Sequence, residues 1–189
     1  SELQCSGNRL YLGYYLDGIK QEVWSFKDGV ESAIKRWSNK AVELAEYFPA
    51  VDVVVRALGH SELQVSGADK PLDKLALDLA NTLGASYKPE LIQKNRELVK
   101  STKISAAERL AQVRGAYSVS SANISAPEST KITFLIVDDV YTSGATTNEI
   151  SRAISETYPE ASIYIFTLVK TIFRTEAGKA SAEMQHNTQ

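Results

Sequence analysis

Hydrophobic and polar positions along the chain follow two periods, one typical of β-strands and the other typical of α-helices. Continuous apolar runs, which are typical of strands covered on both faces, lie at 51–55, 132–137 and 161–169. Apolar residues spaced by three and four predict helices at 28–48, 71–83, 105–113 and 145–158. Two more short strands are predicted at 90–94 and 115–119. This alternation predicts an α/β protein with a doubly wound, mostly parallel sheet.

The first 48 residues are predicted to form an addition to this sheet. Residues 9–26 are rich in strand formers and contain Asp17-Gly18, the chemistry of a two-residue turn, so they predict a β-hairpin. A helix follows it. We therefore divide the chain into an N-terminal hairpin and helix (1–48), an α/β core (49–170) and a polar tail (171–189) that is predicted to be disordered.

Composition and charge exclude several classes of protein. With 189 residues, of which 43% are hydrophobic, the chain can bury a core without disulfides, and its single cysteine, Cys5, excludes an intrachain disulfide or a multi-thiolate zinc site. A net charge of −2 provides no broad basic field, which argues against nucleic-acid binding. No apolar run reaches membrane-spanning length and no signal-peptide pattern opens the chain, so we expect a cytoplasmic protein. No Gly-x-Gly-x-x-Gly follows the first core strand, which argues against a dinucleotide oxidoreductase.

Two adjacent acids end the most hydrophobic strand, in the stretch TFLIVDDVYTSGATT at 133–147. Asp138 and Asp139 repel each other, and burying either is costly without partners, so the pair indicates a ligand. In open α/β sheets, ligands bind where the strands end. Because ionised carboxylates only accept hydrogen bonds, the pair suits a vicinal diol.

The turn after the acids has the chemistry of a phosphate site. Gly144 permits close backbone approach, and successive N–H groups at a helix N-terminus favour an anion. Further hydroxyl donors are available from Thr142, Ser143, Thr146 and Thr147. A phosphate beside a diol is a ribose 5-phosphate. The alternative is an ordinary strand–turn–helix, in which Thr142 or Thr146 only caps the helix.

The segment FLIVDDVYTSGAT resembles the motif by which type I phosphoribosyltransferases bind 5-phosphoribosyl 1-diphosphate (PRPP). The resemblance implies that superfamily's fold and transfer of phosphoribose to a nitrogen acceptor, with release of pyrophosphate. It implies that Asp138 and Asp139 hold the ribose hydroxyls, and that the 5-phosphate is bound by Thr142, Ser143, Gly144, Ala145 and Thr146. It also implies Mg²⁺, bound mainly through oxygens of PRPP and water. PRPP or ribose 5-phosphate is the expected partner, and a homodimer is compatible with it.

A second segment, ERLAQVRGAY at 108–117, is similar to a pattern of ComF-type phosphoribosyltransferase-like proteins. Arg109 matches that pattern, whereas Gln112 replaces its Asn and Tyr117 its Phe. The chain lacks the cysteine-rich zinc motif of many ComF proteins, and Arg56-Ala57-Leu58 replaces their Pro-Val-Pro. The resemblance leaves open a non-catalytic PRPP- or nucleotide-binding protein with a role in DNA uptake or regulation.

The sequence indicates the diphosphate site less clearly than the 5-phosphate site. In the wider family the loop after the first core strand binds pyrophosphate, so the resemblance implies contacts from Arg56, Ala57 and Arg109. A guanidinium suits a diphosphate, but an arginine at a strand end can equally face water. In the basic segment 93–103, where many type I enzymes have a flexible loop, we interpret Lys94 and Lys103 as solvated charges. His60 is interpreted as a solvated loop residue.

The sequence disfavours some acceptors but does not identify the acceptor. Salvage enzymes for 6-oxopurines carry an Asp where this chain has Thr142, which disfavours hypoxanthine and guanine. By the same resemblance, residues 9–48 are the candidate hood, the variable unit that covers the acceptor. Aromatic residues there offer stacking surface, although periodicity predicts that most lie in the core; they are Tyr11, Tyr14, Tyr15, Trp24 and Trp37.

Overall fold

The computed structural model describes residues 3–67, 69–99, 105–120 and 131–171. The strands are β1 (Gln4–Ser6), β2 (Arg9–Tyr11), β3 (Val53–Arg56), β4 (Ser86–Tyr87), β5 (Ile92–Lys94), β6 (Tyr117–Val119), β7 (Thr133–Tyr141) and β8 (Ser162–Lys170). The helices are α1 (Asp17–Lys27), α2 (Glu31–Glu43), α3 (Pro71–Leu83), α4 (Ala106–Val113) and α5 (Ala145–Thr157), with short 3₁₀ turns at Ala45–Tyr47 and Pro89–Leu91.

One six-stranded sheet, in the order β1-β2-β8-β7-β3-β4, forms the centre of the described structure. Its strands pair in parallel, except for the antiparallel pair of β1 and β2. Apolar residues of α1, α2 and α3 pack on one face, and those of α5 with the end of α4 pack on the other. The predicted α/β class with a mostly parallel sheet is therefore confirmed.

Strand β7 lies between β3 and β8 and is shielded from solvent on both faces near its start. Residues 134–137 are fully buried, as its continuous hydrophobic run predicts. Leu135 pairs with Val54 of β3, and Ile136 with Ile165 of β8. Because parallel strands share a direction, the loops that follow β3 and β7 emerge at the same edge of the sheet.

The hairpin predicted at 9–26 is wrong in its position. The observed hairpin joins β1 to β2 around Gly7, whose φ is 63°, whereas Asp17 begins α1. Val23 and Phe26 of α1 are buried, and their spacing of three places them on one helix face. The aromatic, strand-favouring composition concealed this spacing, and burial of the helix face overrides such local preference.

The N-terminal elements share the main core instead of packing apart from it. Strand β2 pairs with β8, and α1 and α2 contribute to the same apolar cluster as α3. The helix predicted at 28–48 corresponds to α2 and the turn Ala45–Tyr47. The division of the chain at residue 48 stays a prediction.

Most other elements agree closely with the sequence pattern. Helix α3 begins at Pro71 and ends at Leu83, and Gly84 caps it in the left-handed conformation with φ 68°. The strands predicted at 90–94 and 115–119 exist as β5 and β6, but they form a separate antiparallel pair. The predicted loop at 120–131 and the tail at 171–189 lie almost entirely outside the described residues. Among the helices described, none is long and apolar enough to cross a membrane.

Candidate functional site

A cavity of about 500 Å³ opens at the carboxyl ends of β3 and β7. Both acids of the sequence motif line this main cavity, together with residues of the β3 loop (57–62) and the β7 loop (142–146). Strand β7 extends to Tyr141, so the two acids lie within the strand, near its carboxyl end, and not in the loop after it. Asp138 is paired in parallel register with Thr167 of β8. The structure therefore brings the two candidate ligand-binding loops and the acid pair to one place.

The acid pair carries less negative charge than two free carboxylates would. Burial, and next the adjacent Asp139 carboxylate, raise the pKa of Asp138 to about 7. Two contacts oppose this rise: the N–H of Asp139 donates to Asp138 Oδ1 (2.8 Å), and Lys27 of α1 lies nearby. Lys27 Nζ is 3.1 Å from Asp139 Oδ2. Lys27 was not predicted as a site residue, because α1 was predicted as part of a hairpin.

The β7 loop has the shape that the sequence predicts for a phosphate cradle. Gly144 has φ 74° and directly precedes α5, whose first N–H groups therefore open into a small pocket of about 30 Å³. All five predicted residues, 142–146, line that pocket. Thr147 is an exception among the hydroxyl donors, because its Oγ1 donates to the carbonyl of Gly144 (3.3 Å). Phosphate binding by residues 142–146 stays a prediction.

Arg56 is held inside the protein at the start of the β3 loop. Its guanidinium is 2% exposed and forms ion pairs with Glu62 and Asp73. It also donates to the carbonyl of Ala57 (3.0 Å), while Glu62 accepts from the N–H of Gly59 (2.5 Å). Burial alone would raise the pKa of Glu62, but hydrogen bonds from Arg56 and Lys70 outweigh it and lower the pKa to about 2. Direct contact of Arg56 with a diphosphate stays a prediction, since its carboxylate partners already engage it.

The prediction that Lys94 is a solvated charge is wrong. Its side chain is 5% exposed, and Nζ donates to the carbonyls of Gly59 (2.7 Å) and His60 (2.9 Å) in the β3 loop. Burial lowers the pKa of Lys94 to about 8. The error arose because a run of charged residues is usually solvated, whereas β5 turns this lysine beneath the loop.

The two buried cations orient the amide groups of the β3 loop. A trans peptide is planar, so the N–H that follows a carbonyl points to the opposite side. With the carbonyls of 57, 59 and 60 turned toward Arg56 or Lys94, the N–H groups of Leu58, His60 and Ser61 point away from them. None of these three N–H groups donates to a described residue. Leu58 and His60 also line the main cavity, so their N–H groups are available to it as donors.

Helix α4 borders the same cavity through Gln112 and Val113. The Gln112 side chain donates to the carbonyl of Val99 (3.0 Å) and accepts from its N–H (2.8 Å), which fixes the cavity rim. Arg109 lies on α4, but its side chain is not among those described, so its role stays a prediction. Lys100 and Lys103 lie outside the described residues.

Of the five aromatic candidates in the N-terminal unit, two line the main cavity. Trp24 of α1 is 54% exposed, and its Nε1 donates to Tyr15 Oη (2.9 Å). Tyr11 and Trp37 are buried, as periodicity predicts. Tyr14 packs edge to face on Tyr11 with ring centroids 5.5 Å apart. The surface that could stack on a planar ligand is thus formed by Tyr15 and Trp24.

Comparison with known proteins identifies the fold. No protein-family model matches the sequence, and no curated protein is similar to it. The structure is similar to adenine phosphoribosyltransferase from Leishmania tarentolae, with a TM-score of 0.53 and 16% identity over 99% of this chain and 88% of that one. The Leishmania donovani enzyme has a TM-score of 0.51 and 10% identity, over 96% of this chain and 98% of that one. The Trypanosoma brucei enzyme was solved with AMP, pyrophosphate and ribose-5-phosphate. It has a TM-score of 0.50 and 10% identity, over 95% of this chain and 100% of that one. The chain therefore has the type I phosphoribosyltransferase fold, while the finer resemblance to ComF-type proteins stays a prediction.

Replacing Gly144 by alanine is expected to weaken ribose 5-phosphate binding by at least about tenfold. An added Cβ would overlap the hydroxyl of Tyr141, and a left-handed alanine costs about 1–2 kcal/mol of folding free energy. Gly84→Ala is the matched control, because Gly84 is also left-handed but has open space around it. Calorimetric titration and thermal unfolding of both variants check this. Equal ribose 5-phosphate affinity in the two variants would show that the β7 loop is not the phosphate site.

Asp138→Asn is expected to stabilise the ligand-free protein at pH 8 by up to about 4 kcal/mol. Because the folded pKa is raised, the ionised carboxyl destabilises the fold as pH rises from about 4 through 7, and asparagine avoids this cost. The gain should disappear below pH 4, where both states are protonated. Ribose 5-phosphate affinity should fall about tenfold, because a charge-assisted hydrogen bond is lost. Thermal unfolding against pH, with exposed Asp78→Asn as control, measures the first effect; a gain that does not depend on pH would contradict it.

Proposed function

We propose that this protein binds PRPP and transfers its phosphoribosyl group to a nitrogen acceptor, with release of pyrophosphate. The observation that carries the proposal is the meeting of three features in one cavity: the acid pair, the β7 loop at the start of α5, and the outward N–H groups of the β3 loop. The type I phosphoribosyltransferase fold supports it.

In this proposal each part of PRPP has its own partners. Asp138 and Asp139 accept hydrogen bonds from the ribose 2- and 3-hydroxyls. The 5-phosphate lies in the pocket of the β7 loop, against the N-terminus of α5. The diphosphate lies along the β3 loop, where Leu58, His60 and Ser61 donate through their N–H groups. Arg56 and Lys94 hold the loop carbonyls from beneath and add positive charge near the diphosphate, and Arg109 of α4 contacts the diphosphate.

The transfer needs positioning and stabilisation of negative charge more than it needs a base. The bond from C1 to the diphosphate breaks as the bond from the acceptor nitrogen to C1 forms, so positive charge develops on the ribose and negative charge on the leaving group. The proton of the attacking nitrogen leaves to the departing pyrophosphate or to solvent. The N–H array of the β3 loop is fixed before the reaction and faces that negative charge. The acid pair lies on the ribose side, where its negative charge favours the positive charge.

Magnesium fits this site as an ion brought by the substrate. Among the described residues no group of three or more metal-binding side chains occurs, so the chain offers no complete cage. The acid pair provides carboxylate oxygens at the cavity wall, and these can accept hydrogen bonds from metal-bound water. When bound, Mg²⁺ neutralises charge on the diphosphate oxygens.

The acceptor is expected to bind against α1. Trp24 and Tyr15 give the main cavity an aromatic wall, which suits a planar nitrogen heterocycle. Thr142, which also lines this cavity, cannot act as the carboxylate that 6-oxopurine enzymes use, so hypoxanthine and guanine remain disfavoured. This assigns the hood role to a helix that packs on the main core.

The first test is calorimetric titration with PRPP, with and without Mg²⁺, and with ribose 5-phosphate. We expect micromolar PRPP affinity, roughly −8 kcal/mol, that strengthens with Mg²⁺. Pyrophosphate release is then assayed with a panel of nitrogen heterocycles and amines. PRPP binding without release for any acceptor would favour the non-catalytic, ComF-like alternative. Binding of neither ligand would refute the proposal.

Lys94→Met is expected to weaken PRPP about tenfold while leaving ribose 5-phosphate affinity unchanged. Methionine keeps the buried volume but cannot hold the loop carbonyls, so the N–H array loses its fixed direction. The fold should persist, because the carbonyls of Gly59 and His60 also accept from the N–H groups of Glu62 and Leu98. Exposed Lys35→Met is the control. Equal losses for both ligands would remove Lys94 from the diphosphate half of the site.

A further inference from the structure

One buried hydroxyl at the main cavity has no use within the described fold. Tyr117 of β6 is 3% exposed, and its Oη is buried without a hydrogen-bond partner among the described residues. The same side chain lines the main cavity. A buried polar atom without a partner is costly, so such an atom at a ligand cavity points to a partner that the ligand supplies.

The position of Tyr117 is fixed by its surroundings. Its backbone pairs with Lys94 of β5, and its carbonyl accepts from Arg152 Nη2 of α5 (3.2 Å). The Lys94 ammonium lies 5.9 Å from the centre of its ring. The preceding Gly115 N–H donates to Glu149 Oε1 (2.7 Å), which ties β6 to α5 a second time. The hydroxyl is therefore preorganised and cannot readily turn toward solvent.

The hydroxyl is close to both parts of the proposed ribose 5-phosphate site, because Tyr117 lines the main cavity together with Asp138 and Thr146. Thr146 of the β7 loop is near enough to affect its pKa, although the two hydroxyls are not in hydrogen-bonding geometry. Burial first, and then the negative charges of Asp138, Glu62 and Glu149, raise the pKa of Tyr117 well above its ordinary value. The phenol stays protonated at neutral pH and acts as a donor.

We propose that Tyr117 is a ligand-binding residue whose hydroxyl donates a hydrogen bond to an oxygen of the ribose 5-phosphate unit. The inference rests on the proposed function and adds a contact from β6 to a site otherwise formed by β7, the β7 loop and the β3 loop. Because the phenol is neutral, it can bind the ligand between the phosphate loop and the acid pair without adding a charge there. Either a phosphate oxygen or a ribose oxygen can be the acceptor.

The test is Tyr117→Phe, which removes one oxygen and keeps the ring. Tyr158→Phe is the matched control, because Tyr158 packs on Phe134 in the same apolar cluster but does not line the main cavity. Calorimetric titrations with ribose 5-phosphate, PRPP and inorganic phosphate are combined with thermal unfolding of the ligand-free proteins. We expect Tyr117→Phe to bind ribose 5-phosphate and PRPP about tenfold more weakly, with an unfolding temperature that is unchanged or higher.

The outcomes separate this inference from the function on which it rests. A parallel loss for inorganic phosphate supports a bond to the phosphate, and a loss for ribose 5-phosphate alone supports a bond to the ribose. If the wild type binds ribose 5-phosphate and Tyr117→Phe binds it equally well, only this inference is wrong. A lowered unfolding temperature without a loss of affinity would show a structural hydroxyl and also overturn it. If the wild type binds neither sugar phosphate, the inference and the proposed function are both wrong.

Discussion

The parallel pairing of β3 with β7 is the constraint on which the candidate site depends. Val54 and Leu135 are opposite each other in the centre of the sheet, and both are fully buried. Because the strands run in the same direction, their carboxyl ends meet at one edge, and the β3 loop and β7 loop face a common cavity. An antiparallel pairing would separate the loops by the length of a strand. The apolar run in β7 therefore determines where the polar chemistry can be placed.

The site places polar groups where they do not favour folding. Asp138 is half-buried beside another carboxylate, and this unfavourable environment raises its pKa. The Tyr117 hydroxyl is buried without a partner among the described residues. By contrast, the buried Arg56 and Asp73 form a paired network with the largely buried Glu62, and this network closes the base of the β3 loop. Paired charges thus build the support, while a carboxyl with a raised pKa and a hydroxyl without a described partner line the cavity, as expected where a ligand completes the interactions.

The sequence predicted those features whose determinants lie close together along the chain. The apolar run of β7, the two acids and Gly144 fall within fifteen residues, and the strand, loop and helix follow the expected order. Pro71 and Gly84 likewise marked both ends of α3. The position of α1 was missed, because local strand preference in residues 9–26 outweighed a spacing that only burial reveals. Lys27 was missed with it, since its contact with Asp139 joins residues far apart in the chain.

The two halves of the proposed PRPP site differ in the same way. A phosphate cradle is made by one turn and its helix, so a short motif is sufficient to indicate it. The β3 loop has no comparable motif, because its donors are main-chain groups whose direction is set by Arg56 at its base and by Lys94, 35 residues from Gly59. Side-chain identity within such a loop carries little information, since any residue supplies the same N–H. Its chemistry is encoded in the buried cations that hold its carbonyls, and these become recognisable only once β5 and β6 are seen to pack beneath the loop.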